Sequence, residues 1–252
     1  MNGRRHEPPT VVDAFRRYRT AVVIAVLPFA LLSLYLFFRR GYYDLFIANK
    51  IFAGVAAILF GLVLILGPLR RSFPGLQQGR DLRKEFGIVA FFLALVHSAV
   101  SSFFLESHFS RTWFVENFWS VLFGGAALVV FAILLVISYR FLRERLGMNR
   151  WRTLQNWGMR IGFLLVVLHV GVMKFPGWIS WYQKGGEKEL VHPEWPGAGL
   201  LIAWVLAFAL FIRLADFLGP RATRVAVYLS IIALPALLLF TFWWGGQAVN
   251  YT

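Results

Sequence analysis

Seven stretches of the chain are long and apolar enough to cross a bilayer, and this pattern limits the fold more than any other feature. A membrane-spanning helix needs about 20 mostly apolar residues. We therefore predict an all-α, polytopic membrane bundle of seven transmembrane helices. The predicted spans are Thr20–Phe38, Ile51–Leu69, Phe86–Leu105, Phe118–Ser138, Trp157–Phe175, Gly197–Ile212 and Val225–Gly246.

The composition excludes several classes of protein. Apolar residues make up 59% of the chain, charged residues 15%, and the mean hydropathy is +0.65. A soluble globular chain is about 45–50% apolar, so a soluble enzyme, a disordered chain and a fibrous repeat are excluded. Cysteine is absent, which excludes disulfides, thiolate metal sites, iron–sulfur clusters and thiol redox chemistry.

The distribution of basic residues predicts the orientation. With the N-terminus in the cytoplasm, 19 of the 26 Lys and Arg residues fall on the cytoplasmic side and 7 on the outer side. Since basic residues collect on the cytoplasmic side of membrane proteins, we predict N-in, C-out. The same bias accounts for most of the net charge of +14, so we expect membrane lipid as a partner and no nucleic acid.

The chain is organised as one domain after a short tail. We predict a cytoplasmic basic tail over residues 1–19 and a single transmembrane helical domain over residues 20–252. The longest connection is expected at about Pro176–Pro196 on the outer side. Its aromatic residues fit the headgroup belt, and a lid over a substrate is the alternative.

Histidines are the main candidates for chemistry, because polar side chains inside a span are costly. Of the five histidines, His6 lies in the tail, and His108 and His192 lie beyond the spans on the outer side. His97 and His169 lie inside the third and fifth spans, which run in the same direction. Both are ~17 Å from the inner end at about 1.5 Å per residue.

Two imidazoles at one depth on neighbouring helices can hold a metal between them. Without cysteine, the natural occupant is haem iron with His97 and His169 as axial ligands. Ser101, one turn beyond His97, lies on the right helix to support its ligand. Two alternatives stay open: structural histidines bonded to a neighbouring helix, and a proton relay or ion pathway.

Small residues accompany both histidines. Positions seven apart share a helix face, and Ala90, Ala94, Gly158 and Gly162 stand near each histidine's face. They either leave room for a flat macrocycle or allow close helix packing.

Three segments resemble a known family. They are IFAGVAAILFGLVLILGPLRR in the second span, LRKEFGIVAFFLALVHSAVSSFF around the third, and WRTLQNWGMRIGFLLVVLHVGVMKF around the fifth. Together they resemble the ferric-reductase-like transmembrane domain. That superfamily includes the haem subunit of the periplasmic methionine sulfoxide reductase system, iron reductases and NADPH oxidases. The resemblance covers residues 46–175, with extra helices at 197–212 and 225–246.

The resemblance implies a six-helix core that binds one or two b-type haems between the third and fifth spans. In the family, each of these helices can carry a second histidine 13 or 14 residues earlier. Those positions are Arg83 and Gln155 here, and neither is an ordinary haem ligand. We therefore expect one non-covalent haem b, at His97 and His169.

Basic residues on the inner side are candidate contacts for an anionic group. Arg83, Arg152 and Arg160, with Lys84, can receive haem propionates, a flavin phosphate or a quinone headgroup. Plain positive-inside topology is the alternative explanation.

The resemblance implies an electron-transfer subunit of an oxidoreductase in the bacterial inner (plasma) membrane. No strand-rich segment or glycine-rich nucleotide fingerprint follows the seventh span. We therefore expect a separate donor, such as a flavin reductase, a quinol or a periplasmic redox protein, and an outer-side or quinone acceptor. The alternatives are a proton-coupled transporter, which the near absence of acidic residues in the spans disfavours, and a cofactor-free membrane scaffold.

Overall fold

A computed structural model describes residues 11–77, 82–186 and 189–249, and no strand occurs among them. Seven helices are long and apolar enough to cross a membrane. The all-α prediction is confirmed, and the chain is an integral multi-pass membrane protein.

The long helices are α1 (Val11–Arg40), α2 (Leu45–Ser72), α4 (Arg83–Phe103), α6 (Phe118–Ile137), α8 (Met148–Lys184), α9 (Ala198–Ala215) and α10 (Pro220–Val249). The short helices are α3 (Pro74–Gln77), α5 (Arg111–Glu116) and α7 (Arg140–Leu146).

Local sequence signals set where several helices begin and end. The side chain of Asp44 accepts a hydrogen bond from the Ile47 amide at 2.8 Å and so caps the start of α2. Gly147 and Gly185 flank α8 with φ of 76° and 73°. Because a side chain disfavours positive φ, these glycines let the chain turn sharply at both ends of the longest helix.

The two ends of the bundle are each joined by polar contacts. One end, called the basic end, carries the starts of α4 and α8 and the ends of α2 and α9. There, Arg17 of α1 pairs with Glu85 of α4 at 2.8 Å. At the opposite end, the amide of His192 donates to the Arg39 carbonyl, and the indole of Trp244 donates to the Tyr182 carbonyl at 2.8 Å.

Helix α2 lies at the centre of the bundle. It packs against α1, α4, α9 and α10, and more lightly against α8. Small residues let its neighbours approach: Gly54 lies against Ile202, and Gly61 lies against Ala209. Since lipid is as apolar as the helix surfaces, such close packing, rather than hydrophobic burial, holds membrane helices together. The most deeply buried apolar residues of α2 are Ile47, Ile51, Val55, Leu59 and Phe60.

Helices α6 and α8 form the other closely packed pair. A Cβ atom on Gly158 would lie 2.5 Å from Leu134, and one on Gly162 would lie 2.5 Å from Phe131. Ala90 of α4 is fully buried in the core. Of the two readings of these small residues, the structure therefore supports close helix packing.

Helix α8 is longer than predicted, and this corrects the fifth span and the connection after it. The helix continues through Pro176 to Lys184, so the expected loop over residues 176–196 is partly helical. Proline removes only one backbone donor, and its neighbours keep the helix intact. At 37 residues α8 is ~55 Å long and exceeds a hydrocarbon core of about 30 Å.

The predicted tail is also partly helical. Helix α1 begins at Val11, so residues 11–19 belong to it. Residues 1–10, with His6, lie outside the described residues.

The packing of α6 against α8 gives a first prediction. Gly162→Ala places a methyl group against the Phe131 ring, and such overpacking costs about 1–3 kcal/mol. We expect a lower midpoint of thermal unfolding in detergent. Gly177→Ala is the matched control, because Gly177 is in the same helix and a Cβ there meets nothing within 4 Å. Equal midpoints for the two variants would contradict close packing at Gly162.

Candidate functional site

His97 of α4 is held by a buried asparagine of α2. Its Nδ1 lies 3.2 Å from the main-chain oxygen of Asn49 and 3.0 Å from the side-chain oxygen Oδ1. Asn49 is 1% exposed, and its Nδ2 donates to Ser101 Oγ at 2.8 Å. Ser101 therefore supports His97 through Asn49 instead of bonding the imidazole itself.

His169 of α8 is held in the same way by α6. Its Nδ1 lies 2.7 Å from the main-chain oxygen of Ser120, and the Ser120 hydroxyl donates to the His169 carbonyl at 3.1 Å. One turn later, a Cβ atom on Gly124 would lie 2.8 Å from this Nδ1 and 3.1 Å from Cε1. The imidazole of His169 thus lies in a cradle that any side chain at position 124 would fill.

These contacts fix the tautomer of both imidazoles. A carbonyl oxygen only accepts hydrogen bonds, so each Nδ1 must carry the proton and donate it. Each Nε2 then keeps a lone pair, and neither Nε2 has a hydrogen-bond partner within the described ranges. A histidine whose Nδ1–H is bound by a carbonyl and whose Nε2 is free has the arrangement typical of a metal ligand.

The two imidazoles approach each other across a part of the bundle where their own helices are not packed together. Helix α4 packs on α2, and α8 packs on α6. The rings are nevertheless close enough to interact electrostatically. No cluster of three or more His, Cys, Asp or Glu side chains that can hold a metal ion occurs in the described part of the chain. Two imidazoles with unpartnered Nε2 atoms would fit haem iron.

Two lysines lie near the histidines, toward the end of the bundle opposite the basic end. Lys174 follows His169 by about one and a half turns and lies within electrostatic range of both imidazoles. Lys50 follows Asn49, and its Nζ lies 3.7 Å from the centre of the Phe46 ring. Neither lysine has an acidic partner at ion-pair distance among the described residues. They can therefore receive a carboxylate.

The other two described histidines have separate partners. His108 stacks on Phe46 with ring centres 4.1 Å apart, and its Nδ1 is 3.1 Å from Ser107 Oγ. His192 stacks on Trp195 and pairs with Glu194 at 2.9 Å. Stacking and local hydrogen bonds account for both.

Gln155 occupies the position on α8 where the family can carry a second histidine, and it has a structural role. Gln155 Nε2 donates to the Leu134 carbonyl and to Ser138 Oγ, both at 2.9 Å. Carbonyls in the last turn of α6 lack partners within their own helix, and Gln155 supplies one.

The predicted basic contacts fall into two groups. Arg83 and Arg160 belong to one cluster at the basic end, together with Arg71 and Arg213. The charges of the other three arginines all act on Arg213. Arg152 is exposed, as is Lys84, and neither makes a described contact with this cluster.

Sequence reasoning missed Asn49, Ser120 and Gly124. The signal for the first two was available, because each is a polar residue within a few positions of the start of a predicted span. Weighing polar residues at the span edges together with the histidines identifies them. Gly124 is part of the pair Gly124–Gly125, and only the packing shows which of the two faces the imidazole.

The fold and site define an integral membrane helical bundle with two paired, metal-competent imidazoles. Residues 52–167 match the family model described as "Ferric reductase like transmembrane component". This stretch is therefore similar to a ferric-reductase-like transmembrane domain, as predicted from the three segments, and the similarity suggests a membrane redox component. The match includes His97 and ends two residues before His169. No curated protein matches the chain closely enough to add a relative.

The hydrogen bonds of the histidines give a second prediction. In protein prepared without haem, the ¹⁵N chemical shifts of both imidazoles should show a protonated Nδ1 and an unprotonated Nε2. His108 and His192, whose Nδ1 atoms face side-chain oxygens, serve as internal comparisons. Protonation of Nε2 at either His97 or His169 would be incompatible with the carbonyl contacts.

Proposed function

We propose that the protein is a membrane b-type cytochrome subunit that transfers electrons through one haem. His97 and His169 are its axial ligands, between α4 and α8. Domains of this family generally bind haem, and the donor set described above fits it.

One observation carries this proposal: both imidazoles donate Nδ1–H to a main-chain carbonyl of a neighbouring helix. A structural histidine gains from any hydrogen bond and has no need to keep Nε2 free. Two histidines with the same tautomer, held on two different helix pairs, support a shared metal instead.

The chain's own residues supply binding and orientation. Haem, when bound, supplies one-electron chemistry. Asn49 and Ser120 hold the two ligands and increase their basicity through the Nδ1–H bonds. Gly124 leaves space for the His169 ring, and the apolar helices exclude water, which is one of the ways in which a protein tunes haem potential.

Lys50 and Lys174 extend the site toward the opposite end of the bundle. We propose that they pair with the haem carboxylates, since Lys174 acts electrostatically on both imidazoles, Lys50 is within electrostatic range of Lys174, and neither has an acidic partner at ion-pair distance among the described residues. A positive charge near the iron favours the reduced state.

Only one haem is proposed. Positions 83 and 155 carry an arginine and a glutamine, and Gln155 is engaged with the end of α6. An electron therefore has no second haem in this chain through which to cross the membrane.

We propose that the chain lies in the inner membrane of a bacterium, with its N-terminus and the basic end in the cytoplasm. This orientation sets the direction of electron transfer. Domains of this family typically work with a separate redox partner. We propose a flavin reductase, a quinol or a periplasmic redox protein as partner, and an outer-side or quinone acceptor. A quinone or flavin at the basic end would meet Arg83 and Arg160, with Arg152 further out.

Absorption spectroscopy tests the haem directly. Purified protein, reduced with dithionite, should show the sharp α band of a b-type haem, and a pyridine haemochrome assay should give one haem per chain. His97→Ala and His169→Ala should each abolish this band. A wild-type protein that stays colourless after haem-replete expression would overturn the proposal in favour of a transporter or scaffold.

The two remaining described histidines are the controls for this experiment. His108→Ala and His192→Ala change the same side chain and should retain the full haem content. Two haems per chain, or loss of haem in the His108 variant, would contradict the ligand assignment.

The lysines give a prediction with an electrochemical readout. Lys174→Gln should lower the haem midpoint potential by on the order of tens of millivolts, because one positive charge near the iron is lost. Lys184→Gln removes the same charge about ten residues further along α8 and should have a much smaller effect. Equal shifts would show that Lys174 is not part of the haem site.

A further inference from the structure

Four arginines lie together at the basic end of the bundle, and one carboxylate is seen with them in the described part of the chain. They come from four helices: Arg71 at the end of α2, Arg83 at the start of α4, Arg160 in α8 and Arg213 at the end of α9. The carboxylate is that of Asp216, in the turn after α9. This cluster lies at the opposite end of the bundle from Lys50 and Lys174, the proposed haem contacts.

Asp216 cannot balance this charge. Arg71 Nη2 lies 2.7 Å from Asp216 Oδ2, and Arg213 Nη1 lies 2.8 Å from the same oxygen. The guanidinium groups of Arg71 and Arg83 also lie close together, since both reach within 4 Å of the same point beside Gly67. Arg71, Arg160 and Arg213, set against the one charge of Asp216, therefore leave a local charge of about +2 at neutral pH.

Two of the arginines present buried donors without partners. The Nε atoms of Arg160 and Arg213 are buried and make no hydrogen bond to any described residue, and Arg213 is only 8% exposed. A buried donor left unpaired costs about 1–3 kcal/mol, and more when it is charged. Such atoms point to a ligand that completes the site.

The surroundings of Arg160 hold its guanidinium in place. It lies over the Trp157 ring at 4.7 Å and over the Phe217 ring at 5.0 Å. Stacking on aromatic rings fixes the plane of a guanidinium and leaves its edge free to bind an oxyanion with two parallel hydrogen bonds.

We propose that Arg71, Arg160 and Arg213, with Arg83, form a binding site for a phosphate ester. A phosphate group has enough oxygens to accept from several guanidinium groups at once, and its negative charge offsets the excess that Asp216 leaves. The site lies toward the ends of membrane-spanning helices, on the side proposed to face the cytoplasm. Basic pockets between helices on the cytoplasmic side bind such headgroups. An anionic phospholipid of that leaflet is therefore the favoured source of the phosphate, and a soluble phosphate-bearing cofactor is the other.

Native mass spectrometry of the detergent-purified full chain tests the lipid source. Phosphatidylglycerol should remain bound to the wild-type protein under conditions that remove phosphatidylcholine. Arg160→Gln should weaken this binding about 10- to 100-fold, as expected when charge-assisted hydrogen bonds are lost. Arg160 is the best position to change, because it has no described ion pair. Its replacement therefore leaves no described carboxylate without a partner. Arg160→Lys keeps the charge without the planar fork and should bind with intermediate affinity.

The matched control is Arg150→Gln, on the same helix, with the same change in charge, at an exposed position. It should leave phosphatidylglycerol binding unchanged. Equal weakening by both variants would mean that general charge attraction explains the binding and would overturn the proposal.

A second arm distinguishes a soluble ligand. Flavin mononucleotide and riboflavin differ only in the phosphate, and binding of either is measured by quenching of flavin fluorescence. Binding of the mononucleotide alone, lost in Arg160→Gln, with no preference for phosphatidylglycerol, would assign the site to a soluble phosphate ester. If neither the lipid nor the mononucleotide binds in an Arg160-dependent way, the proposal is wrong. Both measurements can be made on protein without haem, so a failure of the haem assignment would not be mistaken for a failure here.

Discussion

Inside the hydrocarbon core of a membrane, a polar group must find its partner within the protein, because lipid offers none. This constraint makes every spanning segment a helix. It also explains each polar contact at the site. Asn49 and Ser120 satisfy the Nδ1–H groups of the two histidines, and Gln155 satisfies a carbonyl at the end of α6. The two imidazole Nε2 atoms and the buried Nε atoms of Arg160 and Arg213 have no hydrogen-bond partner among the described residues, and they mark the two proposed ligand sites.

The helices that hold the histidines are paired in a way that keeps the site rigid. Helix α4 is fixed to the central helix α2, and α8 is fixed to α6 by contacts that tolerate only glycine at positions 158 and 162. Each imidazole is thus oriented by a helix other than its own. Such preorganisation matters for electron transfer, because a ligand that does not move between redox states adds little reorganisation to the barrier.

Much of this arrangement follows from the sequence. The seven spans are confirmed, because runs of about 20 apolar residues have one stable structure in a bilayer. The depth match of His97 and His169 follows from counting along two helices. Counting residues cannot reveal how each helix is rotated about its axis or where it ends. Counting leaves open whether Gly158 and Gly162 face a cofactor or a helix, and it ends the fifth span at Phe175, whereas the helix continues to Lys184. Asn49 and Ser120 stand out as polar residues at span edges, but their bonds to the histidines depend on pairings between helices, which no local pattern encodes.

The long helix α8 carries residues of both proposed sites. Arg160 and His169 are nine residues apart, which places them ~13 Å apart along the axis and on opposite faces of the helix. The guanidinium faces the arginine cluster while the imidazole faces α6 and α4. If the helix rotated about its axis as a rigid body, these two side chains would move in opposite directions. The close contacts of Gly158 and Gly162 with α6 oppose such a rotation, so α8 holds the two proposed sites at a fixed distance and angle from each other.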